Sequence, residues 1–178
     1  MHPMRCFAVI VICLLVLAPL PAQKQKREPL TEAQIDKIAE AGIDPNARVE
    51  LYTKYINEHA DAIKGLGNRA KSDARVRRLN DALEDFTALM DELGSNLDLF
   101  SERKADIRKS LKALTEATLR WQKILRALAG EPGFDLARKE SIESEEELAE
   151  QASRLLREQT DYFNAHKDEE GQDRVEPK

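Results

Sequence analysis

Cysteine is nearly missing from this sequence: of 178 residues only Cys6 and Cys13 carry a thiol. Beyond residue 13 the chain therefore has no means of forming a disulfide, a thiolate nucleophile, a cysteine-held metal or a covalently attached haem. Aromatic residues make up 5% of the chain, and there are only seven glycines and seven prolines. No excess of positive charge exists either. Lys and Arg number 28 against 33 Asp and Glu, a net charge of −5, which excludes a general nucleic-acid binder because neutralising phosphates needs a basic excess. No Gly-x-Ser-x-Gly turn is present to seat a serine nucleophile. What is abundant is Ala, Leu, Glu, Lys and Arg, a composition suited to long helices with solvated faces.

Residues 1–22 read as a bacterial-type signal peptide. Arg5 supplies a positive start, an uninterrupted apolar run occupies 6–18, and Pro19 and Pro21 break the helix before the small residue Ala22. Cleavage is expected between Ala22 and Gln23. As a helix the apolar run spans about 20 Å, short of the ~30 Å hydrocarbon core, so removal is favoured over retention as an anchor. Cleavage would remove both cysteines and Arg5, taking the net charge from −5 to −6. The remainder is long enough for one domain that folds by packing alone, and its expected location is the periplasm or the exterior.

Residues 23–29 form a polar, basic lead-in. Leu30-Thr31-x-x-Gln34 reads as a capped start for a short helix that runs to Gly42. Asp44-Pro45 restarts a helix, with Asp44 as N-cap, and Val49, Tyr52, Ile56 and Ile63 mark its buried stripe, with Tyr55 half exposed beside it. Val76, Leu79, Leu83, Phe86, Met90, Leu93, Leu97 and Phe100 then alternate spacings of three and four, and Ile107, Leu111, Leu114, Trp121, Leu125 and Leu128 continue the phase. Only Lys104 and Thr118 interrupt it. This is a heptad seam of shallowly packed helices. It fits one very long helix or an antiparallel hairpin, with the turn at 94–96 or, as favoured by the break in the seam, at 101–106.

Gly130 to Gly133 ends that helix, a loop is expected to about Glu140, and a last helix opens near Ser141. Four long helices joined by short loops imply antiparallel neighbours. The expected fold is all-α: an up-and-down four-helix bundle over 30–166 with a short extra N-terminal helix, followed by a disordered acidic tail at 167–178. Arg120, Lys123 and Arg126 would lie beside the acidic start of the last helix.

Few residues suggest chemistry. Di-iron bundles need Glu-x-x-His pairs, but residue 56 is Ile and residue 163 is Phe. Glu58, His59 and Asp61 cluster at spacings that do not share a helix face and read as solvated surface. Trp121 and Phe86 fall in the core seam. Arg69, Lys71, Arg75, Arg77 and Arg78 crowd the start of one helix; Arg69, Lys71, Arg75 and Arg78 are the candidate contacts for an anionic surface, although Asp81, Glu84 and Asp85 follow at once. No catalytic, metal or cofactor site is expected, and no stable membrane span after cleavage.

The Leu30-Thr31-x-x-Gln34 motif resembles the LTxxQ motif of small helical periplasmic stress chaperones, and the whole chain resembles exported bacterial helical-bundle proteins. The resemblance implies a non-enzymatic envelope protein that acts by protein–protein interaction, in a chaperone-like or scaffold role. Self-association through the long seam is compatible with it. The alternative is a bundle that binds a metal or small ligand through residues without a recognisable pattern.

Overall fold

A computed structural model describes residues 28–42 and 44–171. The expected signal peptide at 1–22, the lead-in up to residue 27 and the end of the tail from residue 172 lie outside the described residues. Among the described residues the chain is all-helical, with α1 over Glu32–Glu40, α2 over Pro45–Gly67, α3 over Asp73–Glu102, α4 over Arg108–Ala127 and α5 over Asp135–Ala165.

Side-chain caps fix where the first three helices begin. Gln34 Oε1 accepts from the Thr31 backbone N–H at 2.9 Å, Asp44 Oδ1 accepts from Ala47 N at 3.1 Å, and Ser72 Oγ accepts from Arg75 N at 3.2 Å. Each satisfies a donor that the helix itself leaves free.

The heptad seam forms the core. From Leu79 to Phe100 and from Ile107 to Leu125 its apolar members are buried, and Phe86 meets Trp121 edge-on with ring centroids 5.8 Å apart. Thr118 is buried too, its hydroxyl donating to the Thr115 carbonyl at 2.9 Å, so it does not interrupt the stripe. The break falls at residues 103–107, where Lys104 adopts a left-handed φ of 54°. Gly94, Ser95 and Asn96 stay helical for a tertiary reason. Ser95 and Asn96 bond back to the Asp91 and Glu92 carbonyls, and Gln151 crosses from α5 to donate to the Gly94 carbonyl at 3.0 Å. A Cβ at residue 94 would stand 3.1 Å from Gln151 Oε1, so glycine here makes room for that crossing.

Helix directions alternate along the chain, but the neighbours are not those expected. α2 packs on α3 and α4, and α5 packs on the same two; the backbones of α3 and α4 make no close approach although a short linker joins them. The sequence therefore folds as two antiparallel hairpins, α2–α3 and α4–α5, laid side by side. This makes α2 parallel to α4, with Asn46 bonded to Ser110 and Asn57 to Trp121. It also makes α3 parallel to α5, with Thr87 bonded to Ser141 and Gly94 to Gln151. The linker reaches across because its backbone is held from both sides. Gln159 Oε1 accepts from Ile107 N at 3.0 Å, Gln159 Nε2 donates to the Ala105 carbonyl at 2.9 Å, and Asn46 Nδ2 donates to the Asp106 carbonyl at 2.8 Å.

Two expected segments differ. The last helix starts at Asp135 rather than near Ser141, anchored by buried Phe134 and by Asp135 pairing with Arg138 and Lys139 in its first turn. Lys139 and then Arg138 hold the Asp135 carboxyl below its usual range. Within the expected tail, Lys167–Glu169 form a 3-10 turn, Glu170 pairs with Arg108, and Gly171 N donates to Asp106 Oδ2 at 3.2 Å. The linker thus offers polar partners that the tail can reach.

Replacing Gln159 by Leu keeps bulk but strips two buried backbone groups of the linker. Urea unfolding is expected to show a loss of about 2–4 kcal/mol with little change in slope.

Candidate functional site

The basic stripe of residues 69–78 does not stay together. Arg75 is buried at 7% exposure. Its Nε and one terminal nitrogen donate to the Leu66 and Gly67 carbonyls at 3.0 and 3.2 Å, and the other donates to Glu131 Oε1 at 2.9 Å. Arg75 thus closes the C-terminal end of α2, supplying partners for carbonyls the helix leaves open, and binds the α4–α5 loop to it. It is engaged inside the fold, so it is not available to an anionic surface. Arg77 and Arg78 are exposed on α3, away from the cavity that Arg69 and Lys71 line.

Arg69 and Lys71 instead join two lysines that the stripe did not include. With Lys64 of α2 and Lys123 of α4 they rim a cavity of about 460 Å³ where the parallel helices α2 and α4 end. Ile63, Ile124 and Leu128 give it an apolar floor, and Glu131 is its one lining carboxylate. That carboxylate is already engaged, by Arg75 at 2.9 Å and Lys71 at 3.7 Å. The floor is tight: a Cβ on Gly67 would stand 3.0 Å from Leu128 Cδ1. Further down the same α2–α4 seam the charges neutralise one another. Lys109 pairs with Glu50, Lys54 with Glu58, and Arg120 with Asp61. Arg120 therefore turns to α2, whereas Arg126 pairs as expected with the acidic start of α5, through Glu146. Lys64, Arg69 and Lys123 have no ion-pair partner among the described residues.

A second groove lies between the parallel helices α3 and α5. Its cavity of about 470 Å³ has buried Met90 and Leu148 in its lining with Asp91, Asp98, Glu147, Glu150 and Arg154 around them. Ser144 donates to Asp91 Oδ1 at 2.7 Å and Gln151 to Asp98 Oδ1 at 2.7 Å, so two of these carboxylates are positioned by α5.

Glu58, His59 and Asp61 are used separately: Glu58 accepts from Gln34, His59 Nε2 lies 3.1 Å from the Pro29 carbonyl, and Asp61 pairs with Arg120. They do not converge on a point. Tyr55, expected half exposed, is 2% exposed and its hydroxyl has no partner among the described residues. Tyr52 donates to Glu92, tying α2 to α3; burial, then that carboxylate, pushes the phenol up to about 12.

The titratable group that sequence reasoning missed is Glu145 on α5. It is 1% exposed, and its Oε2 has no hydrogen-bond partner among the described residues. Burial, aided by the neighbouring Glu146 and opposed by Arg126, pushes its carboxyl up to about 7. Its position in an acidic run concealed it, although its place four residues after Ser141 and three before Leu148 puts it on the buried face.

The protein was compared with protein-family models, curated proteins and solved structures, and none matches.

A raised carboxyl in the folded state binds its proton more tightly than the unfolded chain does. The native protein therefore loses stability from Glu145 as pH rises from about 4.5 to about 7, and the loss is complete above that range. Glu145→Gln is expected to melt with the wild type at pH 4 and to be more stable by about 3 kcal/mol at pH 8. Equal stability at pH 8 would refute the assignment.

Proposed function

We propose that the protein is exported to the envelope or beyond and acts there as a non-enzymatic binding protein whose partners are other proteins, in a chaperone-like or scaffold role. Its architecture in this reading is an up-and-down four-helix bundle with a short extra N-terminal helix. Alternating helix directions and one apolar core shared by the four long helices support the bundle.

The groove between α3 and α5 carries the partner reading. A mainly polar lining with Asp91, Asp98, Glu147 and Glu150 over the buried Met90 and Leu148 suits a segment that carries Lys or Arg. Leu99 on α3 and Leu136 on α5, 47% and 71% exposed, add apolar area on the same two helices. A second reading, a bundle that binds a small ligand, is supported by the cation-rimmed cavity at the α2–α4 end.

The test is capture of partners from the protein's own envelope fraction, alongside sedimentation of the purified chain. The wild type is expected to retain a salt-sensitive partner, either another protein or a second copy. Glu147→Lys combined with Glu150→Lys, both at exposed positions, should reduce retention at least tenfold. A strict monomer that retains no protein, or a partner held equally by the variant, would sink the proposal.

A further inference from the structure

We infer that the cavity at the shared end of α2 and α4 is a binding site for a single-chain anionic amphiphile, a carboxylate or phosphate head on an alkyl body. The inference rests on the ligand-binding reading and is independent of the α3–α5 groove.

Size comes first. About 460 Å³ lies inside the range of roughly 300–1,000 Å³ typical of small-ligand pockets. The lining then divides into two chemistries. Ile63, Ile124 and Leu128 form the apolar part, while Lys64, Arg69, Lys71 and Lys123 stand around it. Ile63 has no exposed surface and Leu128 only 8%, so both lie beneath the cavity, and the half-buried Ile124 is the apolar side chain a ligand meets first. The apolar part also continues outward. A smaller cavity along the same seam shares Lys64, Lys123 and Ile124 and adds Leu119, which is 58% exposed. That lining also holds Glu116 and Arg120, so Ile124 and Leu119 are the two apolar side chains it offers an amphiphile's tail.

Charge supplies the selectivity. The whole chain carries a net charge of −5, yet this cavity gathers cations and leaves Lys64, Arg69 and Lys123 without an ion-pair partner among the described residues. Its single carboxylate, Glu131, is held by Arg75 and Lys71. A helix C-terminus attracts cations through its unbonded carbonyls, and that accounts for Lys64 in the last turn of α2. It does not account for Arg69 and Lys71, which lie beyond the helix end, nor for an apolar floor beneath them. An anionic head with an apolar body satisfies all of these at once. A free inorganic anion would leave the floor wet, and a neutral apolar ligand would leave the cations unanswered.

The geometry is set by contacts that do not involve the free lysines. Arg75 fixes the Leu66 and Gly67 carbonyls, and Gly67 lets α2 approach Leu128. Lys64 and Lys123 are exposed and can be reversed without touching that frame.

The experiment uses the protein purified from its own host and titrates it calorimetrically with dodecanoate below its micelle concentration. Parallel titrations use dodecyltrimethylammonium, inorganic phosphate and phosphatidylglycerol vesicles. Dodecanoate is expected to bind at least tenfold more tightly than either the cationic analogue or phosphate. Lys64→Glu combined with Lys123→Glu, with an unchanged circular dichroism melt, should weaken dodecanoate at least tenfold and improve binding of dodecyltrimethylammonium. Equal binding of both amphiphiles, or a preference the double variant does not alter, overturns the anionic assignment while leaving ligand binding in place. Phosphate binding as tightly as dodecanoate overturns the role of the floor. Binding to vesicles without binding of the monomer assigns the cations to a membrane surface and overturns the cavity. No binding of any probe removes the ligand-binding reading itself.

Discussion

The short linker at residues 103–107 is the constraint on which the arrangement of the helices depends. It must carry the chain from the end of α3 to the start of α4, two helices that meet only through side chains such as Phe86 and Trp121 across the core. A linker drawn over the end of a helical domain exposes its backbone groups to a site where water competes poorly, and such groups need partners. Gln159 of α5 and Asn46 of α2 provide them. One amide side chain therefore fixes both the path of the linker and the end of α5 against it. With no cysteine after residue 13, this closure is made wholly of hydrogen bonds and packing.

The parallel pairs follow from that closure. Once α3 and α4 face each other across the core, α2 must run beside α4 in the same direction, and α3 beside α5. Parallel neighbours bring like ends together. The C-termini of α2 and α4 meet at one end, and their free carbonyls favour positive charge within the last turn. That effect makes the end tolerant of Lys64, which lies in the last turn of α2. Arg75 converts part of it into structure by bonding to two of those carbonyls. The cavity rimmed by the remaining cations is thus a product of topology as much as of any one residue.

The same topology explains what could and could not be read from the sequence. The seam from Leu79 to Leu128 was legible because α3 and α4 bury apolar residues at regular heptad spacing, and Lys104, where φ turns positive, marked the turn correctly. The start of α5 was not legible, because its buried face runs through Ala137, Ser141 and Glu145 before reaching Leu148, and period alone does not reveal a buried serine or glutamate. Ser141 is tolerated there because its hydroxyl bonds within α5 and across to α3. Arg75 looked like one member of a basic stripe, since spacing does not say which arginine turns inward. Lys64 and Lys123 lie on different helices, and only the parallel packing of those helices brings them to one cavity. No local pattern encodes that meeting.

Exposed ion pairs stabilise a fold by only about 0–1 kcal/mol each. Leaving Lys64, Arg69 and Lys123 without an ion-pair partner among the described residues therefore costs little, and their placement is not explained by stability in either direction. Glu145 points the same way with a larger magnitude, since a carboxyl raised to about 7 by burial weakens the fold at neutral pH where an uncharged glutamine would not. A chain selected for stability alone would neutralise Glu145 and would have no use for an apolar-floored cavity at the end of a well-packed core. Both departures occur in a fold where the buried polar groups of Ser141, Thr118 and Gln159 are each hydrogen-bonded. In the proposed reading a bound ligand, and not the packing around it, accounts for the cation-rimmed cavity.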